Sequence, residues 1–350
     1  MTANRTRLHP DLPVCWEDPD TLRIGFERAL ARVRFPSAGA QRFIGLLAEG
    51  IEEDRLPGAA RRAGITMREA HALLADLGPA LIVERVPARA GTGVRVGGRA
   101  GMRGSAAADA TAAASASASA SASGTVASAS GTVASGGSAA GTVASGRATR
   151  TGTPRLRVAL CDDGRDVPGL RDALLASDLC RLDLARGETP ELVLYVERYL
   201  EPLERAQRWL MAGLPQLLLR FTDGAVHVGP LISPAGAPCH TCLALALVAA
   251  DPAAPALAAQ LSGRRPRSET AAVAQLAAAS AAVFVRRWRA EDPAVHVTGV
   301  RVPVDDGLPS GLPEARTVEP HPECACGLGA DPPPRKRPAP VPEHEPVDGR

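Results

Sequence analysis

Two close pairs of cysteines constrain this chain more than any other feature: Cys239 and Cys242 within Pro238-Cys239-His240-Thr241-Cys242, and Cys324 and Cys326 within His321-Pro322-Glu323-Cys324-Ala325-Cys326. Two pairs of thiols, each close enough to chelate and separated by a folded domain's worth of chain, are what a tetrahedral four-cysteine zinc site requires. The second pair is tighter, and both its sulfurs can face one ion if the backbone turns at Ala325-Cys326-Gly327, where the glycine supplies the freedom to turn. Buried thiols without a ligand, or two separate disulfides, are the competing readings. A disulfide within Cys-x-Cys is strained. The first ten residues are polar and carry no export signal, so the thiols are expected to stay reduced. The expectation is therefore one structural Zn²⁺ on Cys239, Cys242, Cys324 and Cys326. Four thiolates close the coordination shell, which argues against a catalytic zinc. His321 is a spare ligand candidate or the opening of a turn with Pro322.

A length of 350 residues suggests two or three domains, and a net charge of +2 gives neither a nucleic-acid footprint nor a membrane-binding surface. Lys336 is the only lysine. No apolar run reaches spanning length, and a cytoplasmic location is expected.

Residues 8–87 read as a small winged-helix-like domain. Val14-Cys15-Trp16 and Thr21-Leu22-Arg23-Ile24-Gly25-Phe26 flank an acidic, Pro-containing turn and predict a hairpin; Ala31-Arg32-Val33-Arg34-Phe35 alternates as a third strand. Ser37 caps a helix ending near Gly50, Leu56 to Ala63 forms a second helix, and Thr66 caps a third. Leu81 to Val86 is a closing strand. DNA binding is the plainest use of such a shape, but the third helix offers only Arg68 and His71 to a groove and carries Glu69 and Asp76, which face phosphates badly. Peptide binding fits better: a strand added at the sheet edge around Arg32, Val33 and Arg34, with side chains entering a groove beside Arg68, His71 and Leu74.

Over residues 88–153 the composition collapses to Ala, Ser, Gly and Thr, and Gly-Thr-Val-Ala-Ser occurs three times. So few large apolar side chains cannot offset the entropy of ordering, and a flexible, disordered linker is predicted. Strands then alternate with helical spans over residues 154–328, which predicts an α/β domain of Rossmann type with a largely parallel sheet. Its strands are expected at Leu156 to Cys161, Leu182 to Leu184, Leu192 to Val196 and Gln216 to Arg220, and the Ala-rich span Glu269 to Arg289 is expected as a helix packed on both sides. Residues 329–350 read as a disordered tail.

In such a fold the exit loop of the first strand is where a nucleotide binds, and here it reads Cys161-Asp162-Asp163-Gly164-Arg165-Asp166. Three carboxylates oppose phosphate, and no glycine-rich or Walker-type loop is present. No cofactor-binding or catalytic residue is assigned.

Val228-Gly229-Pro230-Leu231-Ile232, the following Pro-Cys-x-x-Cys, the stretch Asp251 to Leu261 and the closing His-Pro-x-Cys-x-Cys resemble the E1-like, ThiF-related proteins of azoline-forming peptide (TOMM) biosynthesis, partners of the YcaO cyclodehydratase. The front segment is similar to the winged-helix peptide-recognition element of that family. The resemblance covers about Leu8 to Val86 and Arg155 to Gly327. It implies a structural zinc on the four cysteines, no adenylation by the chain itself, and a non-catalytic scaffold that binds a precursor's leader peptide and presents it to the YcaO enzyme for thiazoline or oxazoline formation, as in bacteriocin biosynthesis. The long Ala/Ser linker departs from the family and leaves the relative placement of the halves open.

Three function classes follow. The first is that scaffold, a homodimer being compatible with it. The second is an active adenylating enzyme, which requires ATP and an acceptor thiol, for which Cys161 and Cys180 are the free candidates. The third is a DNA-binding regulator with a zinc-stabilised half. ATP binding and salt-dependent duplex binding separate them.

Overall fold

In a computed structural model of the chain, residues 2–87 and 154–327 are described. The linker expected over 88–153 and the tail expected over 329–350 lie outside the described residues.

The front part begins with a strand that the sequence did not announce: β1 (Thr2–Leu8). It is followed by β2 (Val14–Asp18), β3 (Thr21–Ile24), β4 (Ala31–Arg34), α1 (Ala38–Glu49), β5 (Ile51–Glu52), α2 (Leu56–Ala63), α3 (Met67–Asp76) and β6 (Leu81–Pro87). β1 thus precedes residue 8, where the front segment was expected to begin. β1 shows no apolar alternation because its place is secured by the backbone: it pairs with β6 along its whole length and with β5 on the other side, and Arg7 reaches Glu84 at 2.6 Å. β2, β3 and β4 form a second antiparallel sheet in that order.

The three helices follow from their caps. Ser37 accepts the Ala40 N–H (3.1 Å) to start α1. Gly64, in the left-handed region at φ 75°, ends α2. Thr66 and Glu69 exchange reciprocal hydrogen bonds of 3.2 and 2.7 Å at the start of α3. The helices close over one core in which Ile24, Val33, Phe43, Leu47, Ala60, Leu73 and Leu77 are buried together.

After the linker come β7 (Leu156–Cys161), α4 (Leu170–Ala176), β8 (Cys180–Arg181), β9 (Leu192–Arg198), α5 (Leu203–Met211), β10 (Gln216–Phe221), β11 (Ala225–Ile232), α6 (His240–Ala250), α7 (Ala254–Leu261), α8 (Ala271–Arg289), β12 (Thr298–Asp305), β13 (Leu308–Pro309) and β14 (Glu314–Thr317). The sheet order is β13-β12-β11-β10-β9-β7-β8, with β14 also on β12. Only β8, β7, β9 and β10 run parallel. From β11 onward the sheet is antiparallel, because the three residues between β10 and β11 suffice for a hairpin and not for a crossover.

Two further expectations are corrected. The second parallel strand is Cys180–Arg181, not Leu182 to Leu184: Arg181 pairs with Glu188, whose carboxylate also takes the Ala185 N–H (3.1 Å), and this pulls the intervening chain out of the sheet. Helix α8 is buried on one stripe, Val273, Ala274, Ala277, Ala278, Ala281, Phe284 and Val285, while Val283 on the other side is 55% exposed. Alanine richness lets this helix approach the sheet closely but does not require a second buried face.

The described parts on either side of the linker form one compact unit. The β3–β4 loop is its clasp. Asp223, just past β10, accepts the N–H groups of Phe26 (2.6 Å) and Glu27 (3.0 Å), and the Phe26 ring meets Tyr199 edge-on at 5.1 Å. Buried Arg23 pairs with Asp251 at 2.5 Å, and the Gln260 side chain accepts the Trp16 N–H (2.9 Å) and donates to the Trp16 carbonyl (2.7 Å).

Candidate functional site

The four cysteines converge. Cys239 is the cap residue of α6 and Cys242 lies in its first turn, so the i, i+3 spacing sets both sulfurs on one side. Cys324 and Cys326 arrive on a tight turn in which the Cys324 N–H donates to the His321 carbonyl (2.9 Å) and residues Ala325–Gly327 form a 3₁₀ turn. The sulfurs of Cys239 and Cys324 are 3.5 Å apart, those of Cys242 and Cys326 3.3 Å, and those of Cys239 and Cys242 3.9 Å. All four lie within 4.8 Å of one another. A tetrahedron of sulfurs about 2.3 Å from a central ion has edges of about 3.8 Å, so the spacing suits a metal. It is too long for any disulfide, whose sulfurs sit about 2.05 Å apart.

The electrostatics agree with the geometry. Burial opposes ionisation of Cys242, but the Cys239 and His321 backbone N–H groups and the neighbouring thiols outweigh it and bring the thiol down to about 7. Burial together with the adjacent sulfurs pushes Cys324 and Cys326 up. Four thiolates this close repel one another, and a dication is what would let all of them ionise. His321 stands outside this group, its Nδ1 accepting the Glu323 N–H at 3.3 Å. His240 turns inward: its Nε2 meets the Gln216 side-chain oxygen at 3.0 Å, its ring packs edge-on to Tyr195, and burial lowers it to about 4.

The strand order reverses between β7 and β9, and the crevice beyond their carboxyl ends is where a doubly wound sheet takes its ligand. Here that crevice holds the chain's own side chains. Arg198, at the end of β9, is 3% exposed; it pairs with Glu269, which is 0% exposed, and donates to the carbonyls of Asp162 (3.3 Å) and Arg165 (2.5 Å). Arg265 holds the other oxygen of Glu269 at 2.9 Å. Arg205 pairs with Asp163 and Glu201, and Arg165 with Glu201 at 3.0 Å. Even the Gly164 N–H is taken, by Asp162 at 3.0 Å. Burial pushes the Glu269 carboxyl up, against the pull of Arg198 and Arg265. The exit loop itself carries only Arg165 beside its three aspartates. Arg198, Arg205 and Arg265 come from elsewhere in the chain and were not foreseen, although an arginine just past the apolar run Leu192 to Val196 was a signal. Cys161 and Cys180 are both buried, and burial pushes the Cys180 thiol up.

In the front part, β4 is the last strand of its sheet, and among the described residues no strand pairs with its outer edge. Arg32 and Arg34 are exposed, Arg32 reaching Glu17 at 2.5 Å. Val33 is 5% exposed and belongs to the core, which corrects its expected role as a contact for peptide. Its N–H is also turned inward. The Phe35 N–H donates to the Asp20 carbonyl (2.6 Å), and strand alternation gives Val33 the same direction and leaves the N–H groups of Arg32 and Arg34 pointing out. Helix α3 packs against β4; Arg68 and His71 are exposed on it, and Leu74, in the same i, i+3 row, is half-buried.

No protein-family model matches this sequence, and no curated protein matches it. Solved structures with a loose likeness are a heterocyclase in complex with substrate and cofactor (13% identity, TM-score 0.36, covering 90% of this chain and 38% of that one), the heterocyclase TruD (14%, 0.37, 93% and 42%), and the E. coli microcin synthetase McbBCD complex (11%, 0.33, 92% and 100%). The chain spans about two fifths of the length of the first two. A superposition this loose assigns no activity. Among the described residues, no single helix is long and apolar enough to cross a membrane.

Proposed function

We propose that this chain is a non-catalytic recognition and scaffold component of azoline-forming peptide modification. It holds the leader of a ribosomally made precursor on the outer edge of β4 and brings the precursor to a separate YcaO-type cyclodehydratase in the cytoplasm. The observation that carries this reading is the unpaired edge of β4 with α3 packed beside it. Such an edge binds an extended peptide through backbone hydrogen bonds, and the helix beside it can select side chains.

The absence of an adenylation role is part of the proposal. It is supported by the crevice filled by Arg198, Glu269, Arg165 and Arg205, because a nucleotide there would have to displace a buried ion pair. The four cysteines would hold Zn²⁺, the ion best suited to four thiolates in a tetrahedron. The ion would act as a closed structural cross-link between the start of α6 and the turn at Cys324.

The test is fluorescence polarisation of labelled leader peptides, taken from any short precursor found in the neighbouring genes, against the full chain and its Arg32→Pro variant. Proline at Arg32 places its ring where the outward N–H would meet an added strand, and edge strands tolerate it. Expected are tight binding by the native chain, at least tenfold weaker binding by the variant, and no heat with Mg-ATP by calorimetry. Equal binding by both chains would sink the edge reading. Micromolar ATP binding would return the chain to the adenylating enzymes.

A further inference from the structure

A pocket of about 300 Å³ lies where the turn after β1, the β3–β4 loop, the start of β6, the β10–β11 turn and the β12–β13 turn meet. That volume is at the lower end of the range small-ligand sites span. Leu12, Leu30, Ala80 and Ile82 give it apolar walls, and Asp11, Asp305 and Asp306 line it with carboxylates.

Asp11 is the unusual member. It is 9% exposed, yet its carboxylate accepts no hydrogen bond among the described residues; His9 is a neighbour, and Arg267 Nε stands 3.6 Å away on a side chain that is 59% exposed. With most of the residue covered and no protein donor on its carboxylate, Asp11 is left to take a donor from the pocket it lines. The other charges here are already engaged. Glu27 holds Arg301 at 2.7 Å, Asp223 accepts two backbone N–H groups, and His9 stands 3.8 Å from Asp305. Arg28 is the one guanidinium at the wall without an ion pair among the described residues, and the three carboxylates outnumber it. Burial pushes the Asp11 carboxyl up against the pull of His9 and Arg267, with Asp306 and Asp305 adding to the rise.

We propose that this pocket binds an alkyl-ammonium or alkyl-guanidinium group, with the cationic head donating to Asp11 and the stem against Leu12, Leu30, Ala80 and Ile82. A bare metal ion fits less well: among the described residues, only the four cysteines bring three or more ligand atoms close enough to share an ion. The apolar walls also ask for a carbon stem, as in a lysine side chain of a peptide or a free diamine. This inference needs neither the zinc nor the leader-peptide reading.

The test uses the full chain with methyl-labelled leucine, isoleucine and alanine, titrated with n-pentylamine, agmatine, Nα-acetyl-lysine N-methylamide and, as neutral counterpart, 1-pentanol. The amines should shift the methyl signals of Leu30, Ala80 and Ile82, and 1-pentanol should bind at least tenfold more weakly. Asp11→Asn should weaken amine binding about tenfold or more, as expected for loss of a charged hydrogen-bond acceptor, and the exposed control Asp54→Asn should not. Tighter binding of the lysine amide than of agmatine points to a peptide side chain as the source, and the reverse order to a free diamine. Equal binding of pentylamine and pentanol, or shifts confined to other methyls, overturns the proposal. If Asp11→Asn fails to fold, the amine-against-alcohol comparison on the native chain still decides.

Discussion

At the scale of single residues, the cysteines make the sharpest prediction. Four sulfurs 3.3 to 3.9 Å apart along three of their edges are held by two short backbone turns, so removing one thiol from each pair leaves the ion two ligands. With zinc bound as proposed, the native chain should carry about one equivalent, and Cys239→Ser combined with Cys324→Ser should lower it to none. It should also loosen the turn at residues 321–326, read as faster amide exchange there. Retention of metal by the double variant would refute the assignment. This site was legible because each pair is local: i, i+3 at a helix start and i, i+2 on a turn share a face by backbone geometry alone. The Arg198–Glu269 pair was not legible. Its partners stand 71 positions apart and meet only because β9 and the approach to α8 end at the same rim of the sheet. The same holds for Asp11, whose peculiarity is its lack of donors, a property of packing that composition cannot carry.

At the scale of elements, strand edges decide what a proline does. At Val33 the N–H points into the ladder with β3 and the side chain is core, so Val33→Pro should break the β2-β3-β4 sheet and cost about 3 kcal/mol or more. At Arg32 the N–H points outward, and Arg32→Pro should leave stability within about 1 kcal/mol. Urea unfolding of the two variants separates these expectations, and an equal loss in both would show that β4 does not have the register described. The helices and the parallel strands β7, β9 and β10 were readable because caps, glycine stops and apolar runs declare them, whereas β8 lies two residues before its expected place. β1 and β5 were not, since Thr2–Leu8 is polar and Ile51–Glu52 has only two residues. Their places in the β5-β1-β6 sheet supply what their side chains lack, and such pairing is long-range information.

At the scale of the whole molecule, the question is what joins the front part to the sheet beyond the linker. Glu27 is central to that joint. Burial alone would raise its carboxyl, but His227, Thr222 and Arg301 together hold it down at about 2, against an ordinary value of 4.5. A depressed carboxyl contributes stability that is present above its unfolded value and lost as pH falls toward its folded one. The window is therefore pH 4.5 down to about 2. A shift of that size corresponds to at most about 3 kcal/mol. Glu27→Gln should be less stable than the native chain at neutral pH by up to that amount, and the gap should narrow as the pH is lowered through the window. A gap independent of pH would mean that Glu27 acts by shape and not by charge.

The same contacts predict how the two parts behave once the chain between them is cut. The Phe26–Tyr199 contact, the Arg23–Asp251 pair, the paired hydrogen bonds between Gln260 and Trp16, and the N–H groups on Asp223 form a continuous polar and apolar seam. Cys15, Phe26, Tyr199, Leu257, Ala258 and Leu261 are buried together at its centre. Apolar burial of this kind stabilises by about 25 cal/mol per Å² removed from water, and it does not need a covalent connection. With a specific protease site inserted within residues 88–153, the cleaved fragments should co-elute on size exclusion at neutral pH and moderate salt. Phe26→Ala removes the edge-on ring contact and part of the buried cluster, at a cost of about 3 kcal/mol or more, and should let the cleaved fragments separate. Separation of the native fragments would mean that the linker, and not the seam, holds the two parts together, and that a leader bound at β4 is presented from a tethered arm and not from a fixed face.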